Sequence, residues 1–192
     1  LNDITIKKRI ELLPYVAGNL SGEKESITAP LDYNSFKPNA GLGLNLDLSK
    51  NSGLEITLNP DFSQVEADVT QIDVNSSFAL EYPERRPFFN RGTDIVNFTD
   101  GAFYSRSINN PLVSTKLLSQ AKKSRIYFLT ALDQNSPYQI AGEDRSYLGQ
   151  GGQSIVNVFR YQRLVNKNTR LGFVTTNRYY KEGGYGNLFG TD

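Results

Sequence analysis

The sequence predicts an all-β protein whose antiparallel strands enclose polar material, as in a barrel with a wet interior. Several segments alternate apolar and polar residues over the length of a strand, and no Lys or Arg interrupts the acidic residues from Glu55 to Glu84. Three arginines follow this acidic block: Arg85, Arg86 and Arg91. Because unpaired charges are costly to bury, the block must lie in water, line a polar cavity or meet cations.

The composition excludes several kinds of chemistry. The 192 residues carry a formal net charge of +1, so no bulk basic charge indicates nucleic-acid binding. Cys and His are absent, which removes disulfides, thiolate catalysis and the commonest general base. No apolar run approaches the roughly 18 residues of a transmembrane helix, whereas the strands of a transmembrane barrel are only weakly hydrophobic. Because the chain begins at Leu1 and contains no Met, we interpret it as a piece of a longer protein.

The amino-terminal region predicts a strand and then a loop. Residues 4–16 have the apolar content of a strand, although Lys7, Lys8 and Arg9 interrupt its alternation. Residues 19–37 are rich in Gly, Pro and small polar residues, which is typical of a loop.

A leucine-rich hairpin follows this loop. Leucine occupies every second position from Leu42 to Leu48, and apolar residues alternate again from Leu54 to Leu58 after a turn rich in Ser, Asn and Gly. Because side chains alternate across a strand, one face of the hairpin is wholly apolar. The pattern fits a half-buried hairpin in a soluble sandwich and a lipid-facing hairpin equally well.

Residues 60–111 form an irregular segment within the predicted domain, which spans residues 1–192. They show no sustained period apart from a short predicted helix at 69–79. About fifty residues without clear elements is long for a compact domain. We therefore expect a plug, an inward fold or a large surface loop.

The remaining residues predict two further pairs of strands. Residues 111–118 and 125–132 each have strand character, and 133–153 read as a Gly-, Ser- and Asn-rich loop. Residues 154–165 and 169–180 predict a hairpin whose arms exceed the roughly 9–11 residues that a strand needs to cross a bilayer.

Two features of this long hairpin bear on its surroundings. Arg160 and Arg163 differ in parity, so they cannot share a face of a regular strand. Tyr179 and Tyr180 lie at the end of the second arm, where a membrane barrel carries its aromatic girdle, although ordinary surface tyrosines also fit.

Two motifs stand in or beside the irregular segment, and a third follows them. The first reads NPDFSQVEAD from Asn59 to Asp68, the second reads YPERRPFFNRG over 82–92, and 104–108 read YSRSI. Together they resemble an outer-membrane β-barrel domain of unknown function (DUF5916) that follows a carbohydrate-binding-family-nine-like domain in Gram-negative surface proteins. Arg91 stands where that pattern has an acid, and Ser107 where it has a second arginine. The residues that the resemblance marks as a structural motif are Asn59, Pro60, Asp61, Phe62, Gln64, Glu66, Asp68, Glu84, Arg85, Arg86, Pro87, Phe88, Phe89 and Arg106.

The resemblance implies a location and a role. It implies that the chain is the N-terminal portion of a larger antiparallel transmembrane β-barrel in the outer membrane of a Gram-negative bacterium, with residues 60–111 as a polar inward or plug-like segment. The implied partners are outer-membrane lipid and also glycans or other envelope proteins. We expect a non-enzymatic role, either passage of solutes or anchoring and display of a surface glycan-interacting domain.

The alternative is a soluble β-rich domain that binds or hydrolyses carbohydrate. Paired carboxylates of the acidic block could support glycoside hydrolysis or hold calcium, but no calcium-loop spacing is present. Ser105 and Ser154 have no His to activate them. We therefore expect no catalytic residue, no metal site, no cofactor and no nucleic-acid partner.

Overall fold

The computed structural model describes residues 8–20, 22–23, 30, 32–33, 36–60, 84–96, 102–141 and 146–192. These residues form an antiparallel all-β fold with very little helix, which confirms the fold class at that level. The strands are β1 (Ile10–Asn19), β2 (Gly22–Glu23), β3 (Asp32–Tyr33), β4 (Lys37–Ser49), β5 (Ser52–Leu58), β6 (Pro111–Gln120), β7 (Ser124–Asp133), β8 (Pro137–Ala141), β9 (Ser146–Gln150), β10 (Ser154–Leu164), β11 (Arg170–Tyr180) and β12 (Tyr185–Thr191).

Eight of these strands form one open sheet in the order β1-β4-β5-β6-β7-β10-β11-β12. Every neighbouring pair is antiparallel. The predicted leucine-rich hairpin is β4–β5 and the predicted long hairpin is β10–β11, so both predictions are confirmed. Strands β5 and β6 pair with each other in the sheet, although the whole irregular segment lies between them in sequence.

Three sequence predictions need correction. The first strand begins at Ile10, beyond the cationic cluster that interrupts the alternation. The stretches 19–37 and 133–153, predicted as loops, each contain a small two-stranded sheet, β2–β3 and β8–β9. These strands have two to five residues, too few for a period to stand out among Gly and Ser. The helix predicted at 69–79 lies outside the described residues.

The two ends of the eight-stranded sheet differ. At one end, the short-turn end, residues 50–51, 121–123 and 165–169 join successive strands. At the other, the long-connection end, the chain passes through 20–36, 59–110 and 134–153, and only 181–184 form a short turn. From β1 to β11 the connections of this sheet therefore alternate between long and short, as the sequence predicts, and the short turn 181–184 ends the alternation.

The two faces of the sheet differ as sharply. The open face is the side on which the leucines of β4 project, and the register extends it across all eight strands. None of its large apolar side chains is buried, and Ile10, Leu171 and Phe189 are 69%, 58% and 70% exposed. The apolar residues of the open face include Ile10, Leu12, Leu42, Leu44, Leu46, Leu54, Ile56, Leu117, Ile126, Phe128, Ile155, Phe159, Leu171, Phe173, Tyr185 and Phe189.

The covered face lies on the opposite side, against the described part of the irregular segment, residues 84–96 and 102–110. This part contributes two single-turn helices, Pro87–Asn90 and Thr93–Val96, and the 3₁₀ turn Ser105–Ser107. Within the described ranges, no helix is long and apolar enough to cross a membrane. The hydrophobic core between segment and sheet comprises Phe88, Phe89, Ile95, Val96, Ile108, Tyr127, Leu129, Ala131, Val156 and Val158.

The parity prediction for the two arginines of β10 is confirmed. Arg160 is fully buried on the covered face, opposite Tyr127 and Val174, whereas Arg163 is exposed on the open face near the short-turn end. A single strand therefore places one arginine in the buried interior of the covered face and one on the exposed open face.

Candidate functional site

The first motif begins at the junction of three strands. Asn59 follows β5 with a φ of 45°, a left-handed conformation in which Asn is enriched among non-glycine residues. Its backbone N–H donates to the carbonyl of Leu112 at 2.7 Å, and its side-chain amide donates to Asn39 Oδ1 and the Ala40 carbonyl at 2.6 and 2.7 Å. Asn59 thus ties β5 to both of its neighbours where the irregular segment leaves the sheet.

Of the rest of the first motif, the structure describes only Pro60. Pro60 follows Asn59 and is half-buried. The residues Asp61, Phe62, Gln64, Glu66 and Asp68 lie outside the described residues.

The second motif contains a buried ion pair between Glu84 and Arg86. Nε and Nη2 of Arg86 donate to the two carboxylate oxygens of Glu84 at 2.9 and 2.7 Å. The two side chains are 8% and 4% exposed, and the Ser105 hydroxyl donates to the same carboxylate at 2.5 Å. Such paired, charge-assisted bonds hold both groups in one geometry.

Arg86 also holds the distant end of the segment. Its Nη1 donates to the carbonyl of Ile108 at 2.5 Å and its Nη2 to the carbonyl of Ser105 at 2.8 Å. Its guanidinium carbon lies 4.1 Å from the ring centroid of Phe89, within the range of a cation–π interaction. The side chain of Arg86 therefore connects Glu84 with the residues around the 3₁₀ turn.

The surroundings of Glu84 shift its titration. Burial raises the pKa of Glu84, but the hydrogen bonds and positive charge of Arg86 and the hydroxyl of Ser105 outweigh burial, so its pKa lies below the usual value. The carboxylate is therefore held in its charged form.

The helix after Arg86 anchors the segment on the sheet. Pro87 occupies its first turn, where the missing N–H costs nothing, and Phe88 and Phe89 are buried with their rings edge to face at 5.0 Å. Gly92 ends this stretch with a φ of 87°, and a Cβ there would lie 2.6 Å from Leu118 Cδ2. Only glycine suits both the backbone and the space.

Sequence reasoning missed the second buried cation of the site, Lys116 of β6. Its side chain is fully buried, and its Nζ lies 2.9 Å from Oε2 of Glu55, its partner across the strands. The ammonium also donates to the carbonyls of Phe88 and Arg91, and it lies 4.6 Å from the Phe88 ring centroid. The signal that could have found it is the position of Lys116, a charged residue within the alternating pattern of a predicted strand.

Glu55 links Lys116 to a third cation. Its Oε1 lies 2.8 Å from Nη1 of Arg91, whose side chain is 61% exposed. The arginine that departs from the family pattern therefore meets an acid of the sheet.

Asp133 forms another brace, which the sequence did not single out. It is fully buried at the end of β7, and it accepts hydrogen bonds from the backbone N–H groups of Asn109 and Asn110 at 3.0 and 2.7 Å. Arg178 of β11 donates to the carbonyl and hydroxyl of Ser107 at 3.0 and 2.9 Å. Arg106, in the same 3₁₀ turn, is half-buried.

The two adjacent arginines of the second motif behave differently. The opposite charges and closeness in sequence of the acidic block and the Arg85–Arg86 pair predict one network; Arg86 is buried in the described brace, whereas Arg85 is exposed and most of the acidic block lies outside the described residues. The backbone at Arg86 is extended, with φ −75° and ψ 120°, and adjacent side chains of an extended chain point to opposite sides. Arg86 therefore meets Glu84 while Arg85 is exposed.

The chemistry of this site is that of a brace. The described buried carboxylates of Glu55, Glu84 and Asp133 each contact cations or backbone N–H groups that hold them in place. Among the described residues, no three or more metal-ligating side chains gather in one group.

Comparison with known proteins gives one match. Residues 7–151 match the family described as Domain of unknown function (DUF5916), a range that includes both motifs, the 104–108 run and the first five strands of the large sheet. No curated protein and no solved structure matches the chain. The match covers well over half of the sequence, and the chain belongs to the DUF5916 family of domains of unknown function.

Proposed function

We propose that this domain is part of an outer-membrane β-barrel of a Gram-negative bacterium, with the open face toward lipid and the covered face toward the lumen. The observation that carries the proposal is the distribution of side chains between the two faces. Buried ions and polar groups lie on the covered face, and most exposed leucine, isoleucine and aromatic side chains of the strands lie on the open face, with Leu13 and Leu188 as exceptions on the covered face. Lipid-facing and lumen-facing residues alternate in this way in transmembrane barrels.

The strand lengths and connections support the same proposal. Strands β1, β6 and β7 have 10 residues, and β10 and β11 have 11, against about 9–11 for a tilted strand across a bilayer. Short turns at one end and longer connections at the other match the periplasmic turns and extracellular loops of such barrels. On the open face at the long-connection end, the rings of Tyr179 and Tyr185 are neighbours, with centroids 6.4 Å apart, and such aromatic pairs are typical of an interfacial girdle.

We further propose that the chain is the N-terminal portion of a larger barrel. In the described sheet, β1 and β12 each have one edge without a partner strand. Within lipid an unpaired edge would expose backbone groups that nothing satisfies, so further strands would need to close the sheet.

The role that we propose is non-enzymatic. The described part of the irregular segment packs on the covered face with a hydrophobic core and desolvated ion pairs, which favours a braced interior over an open channel. Anchoring or display of a surface glycan-interacting domain therefore fits better than free passage of solutes. A soluble carbohydrate-binding or hydrolysing domain would instead need a protein layer over the open face.

The complete protein is expected to fractionate with the outer membrane and to require detergent for extraction. The exposed apolar surface of eight strands would otherwise lie in water. Membrane fractionation by density gradient, with a periplasmic and an inner-membrane marker as controls, measures this. Recovery of folded protein from a detergent-free soluble fraction would contradict the proposal.

Leu44→Arg is expected to block assembly, whereas Asn45→Arg is tolerated. Leu44 lies on the open face between Leu12 and Ile56, and an arginine near the middle of the bilayer costs about 2–4 kcal/mol. Asn45 lies on the covered face, where its amide already donates to Glu11 at 3.2 Å and an arginine would meet the same acid.

The assembled fraction of both variants can be followed by resistance to denaturation in unheated gel samples. The two substitutions add the same side chain at adjacent positions, so each controls for the other. Equal behaviour would show that the open face does not meet lipid.

A further inference from the structure

The short-turn end of the sheet carries a concentration of cations that the net charge of +1 conceals. We name these residues the cationic rim. All of them are exposed, and they are Lys50, Lys122, Lys123, Arg163, Lys167 and Arg170.

The three turns that bear the rim lie side by side. The backbone N–H of Gln120 donates to the carbonyl of Asn51 at 2.8 Å, and that of Leu164 donates to the carbonyl of Lys123 at 2.7 Å. Adjacent strands are about 4.8 Å apart, so neighbouring turns are separated by about 10 Å, close to the screening length at physiological salt. At that spacing the charges of neighbouring turns are largely screened from one another, so each cation attracts anions locally, and the three turns present these cations in a row along one end of the sheet.

Among the described residues, the acidic side chains at the same end do not neutralise the rim. Glu11, Asp94 and Asp192 already pair with Arg9, Arg125 and Arg160, none of which belongs to the rim. The carboxylate of Asp47 projects on the covered face, away from the turns' outer side.

The opposite end of the sheet has no such excess. Among its described strand ends and its short turn, the exposed charged residues are Asp32, Lys37, Lys181 and Glu182, which balance. In the part of the chain that the structure describes, the excess of exposed cations is therefore confined to the short-turn end.

The cationic rim also borders the apolar open face directly. Arg163 is the last residue of β10 that projects on that face before the turn. It lies opposite Leu171, which is 58% exposed. A long cationic side chain at the edge of an apolar surface can lay its stem on the apolar part and keep its charge in the headgroup layer.

We propose that the cationic rim binds the headgroups of anionic phospholipids in the leaflet that surrounds the short-turn end. This inference rests on the proposed membrane insertion and adds the lipid class that one end selects. Clusters of lysine and arginine next to an apolar membrane surface attract anionic lipid, and the attraction weakens with salt.

Boundary-lipid selectivity tests this proposal. The complete protein is reconstituted in phosphatidylcholine vesicles with a trace of spin-labelled phosphatidylglycerol or spin-labelled phosphatidylcholine, and electron paramagnetic resonance gives the motionally restricted fraction of each. We expect wild type to restrict phosphatidylglycerol preferentially. The triple variant Lys122→Gln/Lys123→Gln/Lys167→Gln should lower that preference about threefold or more, as should molar salt.

The matched control is Lys37→Gln/Lys181→Gln, which removes two exposed lysines from the opposite end and should retain the preference. Equal selectivity in wild type and the triple variant overturns the proposal while boundary lipid itself is still seen. The proposal is equally overturned if the rim lysines instead lie in a contact between two copies of the chain, so that a lysine-specific reagent cross-links the copies while no lipid preference is seen. Absence of any restricted lipid would overturn the membrane insertion on which the proposal rests.

Discussion

Replacing Arg86 by alanine is expected to lower the free energy of unfolding by about 3–5 kcal/mol, because the change leaves a buried charge without its partner. Glu84 would lose both charge-assisted bonds from the guanidinium at a side chain that is 8% exposed. The carbonyls of Ser105 and Ile108 would lose their donors in the same step. Urea unfolding followed by circular dichroism measures the change, since the chain contains no Trp.

Arg85→Ala is the matched control for this prediction. It removes the same side-chain type from the neighbouring position, but Arg85 is exposed, so the cost should stay under about 1 kcal/mol. Glu84→Gln/Arg86→Ala should cost less than Arg86→Ala alone, because no isolated charge then remains. Equal stability of the Arg85 and Arg86 variants would mean that the Glu84–Arg86 pair is not desolvated in solution.

The Glu84–Arg86 pair makes stability depend on pH, and Arg86→Ala should remove the extra stability that wild type has above about pH 4.3. The pKa of Glu84 is lower in the folded protein, so its contribution is present above the unfolded value of about 4.3 and is lost as the pH falls through the folded value. Wild type should therefore lose stability relative to the variant as the pH falls below about 4.3.

Lys116→Met is expected to cost a similar amount, about 3–5 kcal/mol, and to free the segment from the sheet. The substitution keeps the apolar stem but removes the ammonium that lies 2.9 Å from Glu55 and donates to two carbonyls of the segment. Glu55 keeps only Arg91, whose side chain is 61% exposed and whose attraction is therefore screened by solvent. Protease cleavage within residues 84–96 and urea unfolding both report the loss.

Lys123→Met is the control for Lys116→Met, because its side chain lies in an exposed turn. Glu55→Gln/Lys116→Met should recover part of the lost stability, since the buried carboxylate is then neutral. Wild-type protease protection in Lys116→Met would show that the hydrophobic core alone holds the segment.

Local alternation made the strands predictable. The hairpins β4–β5 and β10–β11 follow from residues two apart in sequence, and so does the separation of Arg160 from Arg163 onto opposite faces. A period of two depends only on the geometry of one strand, so it is visible before any tertiary contact is known. Short strands such as β8 and β9 carry too few residues for that signal.

The motifs indicated where the site lies, but they did not show which residues elsewhere in the chain contact it. The pairing of Glu84 with Arg86 joins residues two apart, whereas Lys116 meets Glu55 from 61 positions away in sequence only because β5 and β6 are neighbours in the sheet. The burial of Arg86 depends on residues about twenty positions later, because its guanidinium donates to the carbonyls of Ser105 and Ile108.

The sequence by itself therefore determined an antiparallel all-β protein with one apolar strand face, an irregular acidic and arginine-rich segment, and the family to which these motifs belong. Only the tertiary structure decided which face the segment covers, which cations its carbonyls and carboxylates meet, and that exposed cations gather at the short-turn end. The physical reason is that burial and ion pairing depend on the order of strands in the sheet, and strand order results from contacts between residues far apart in the chain.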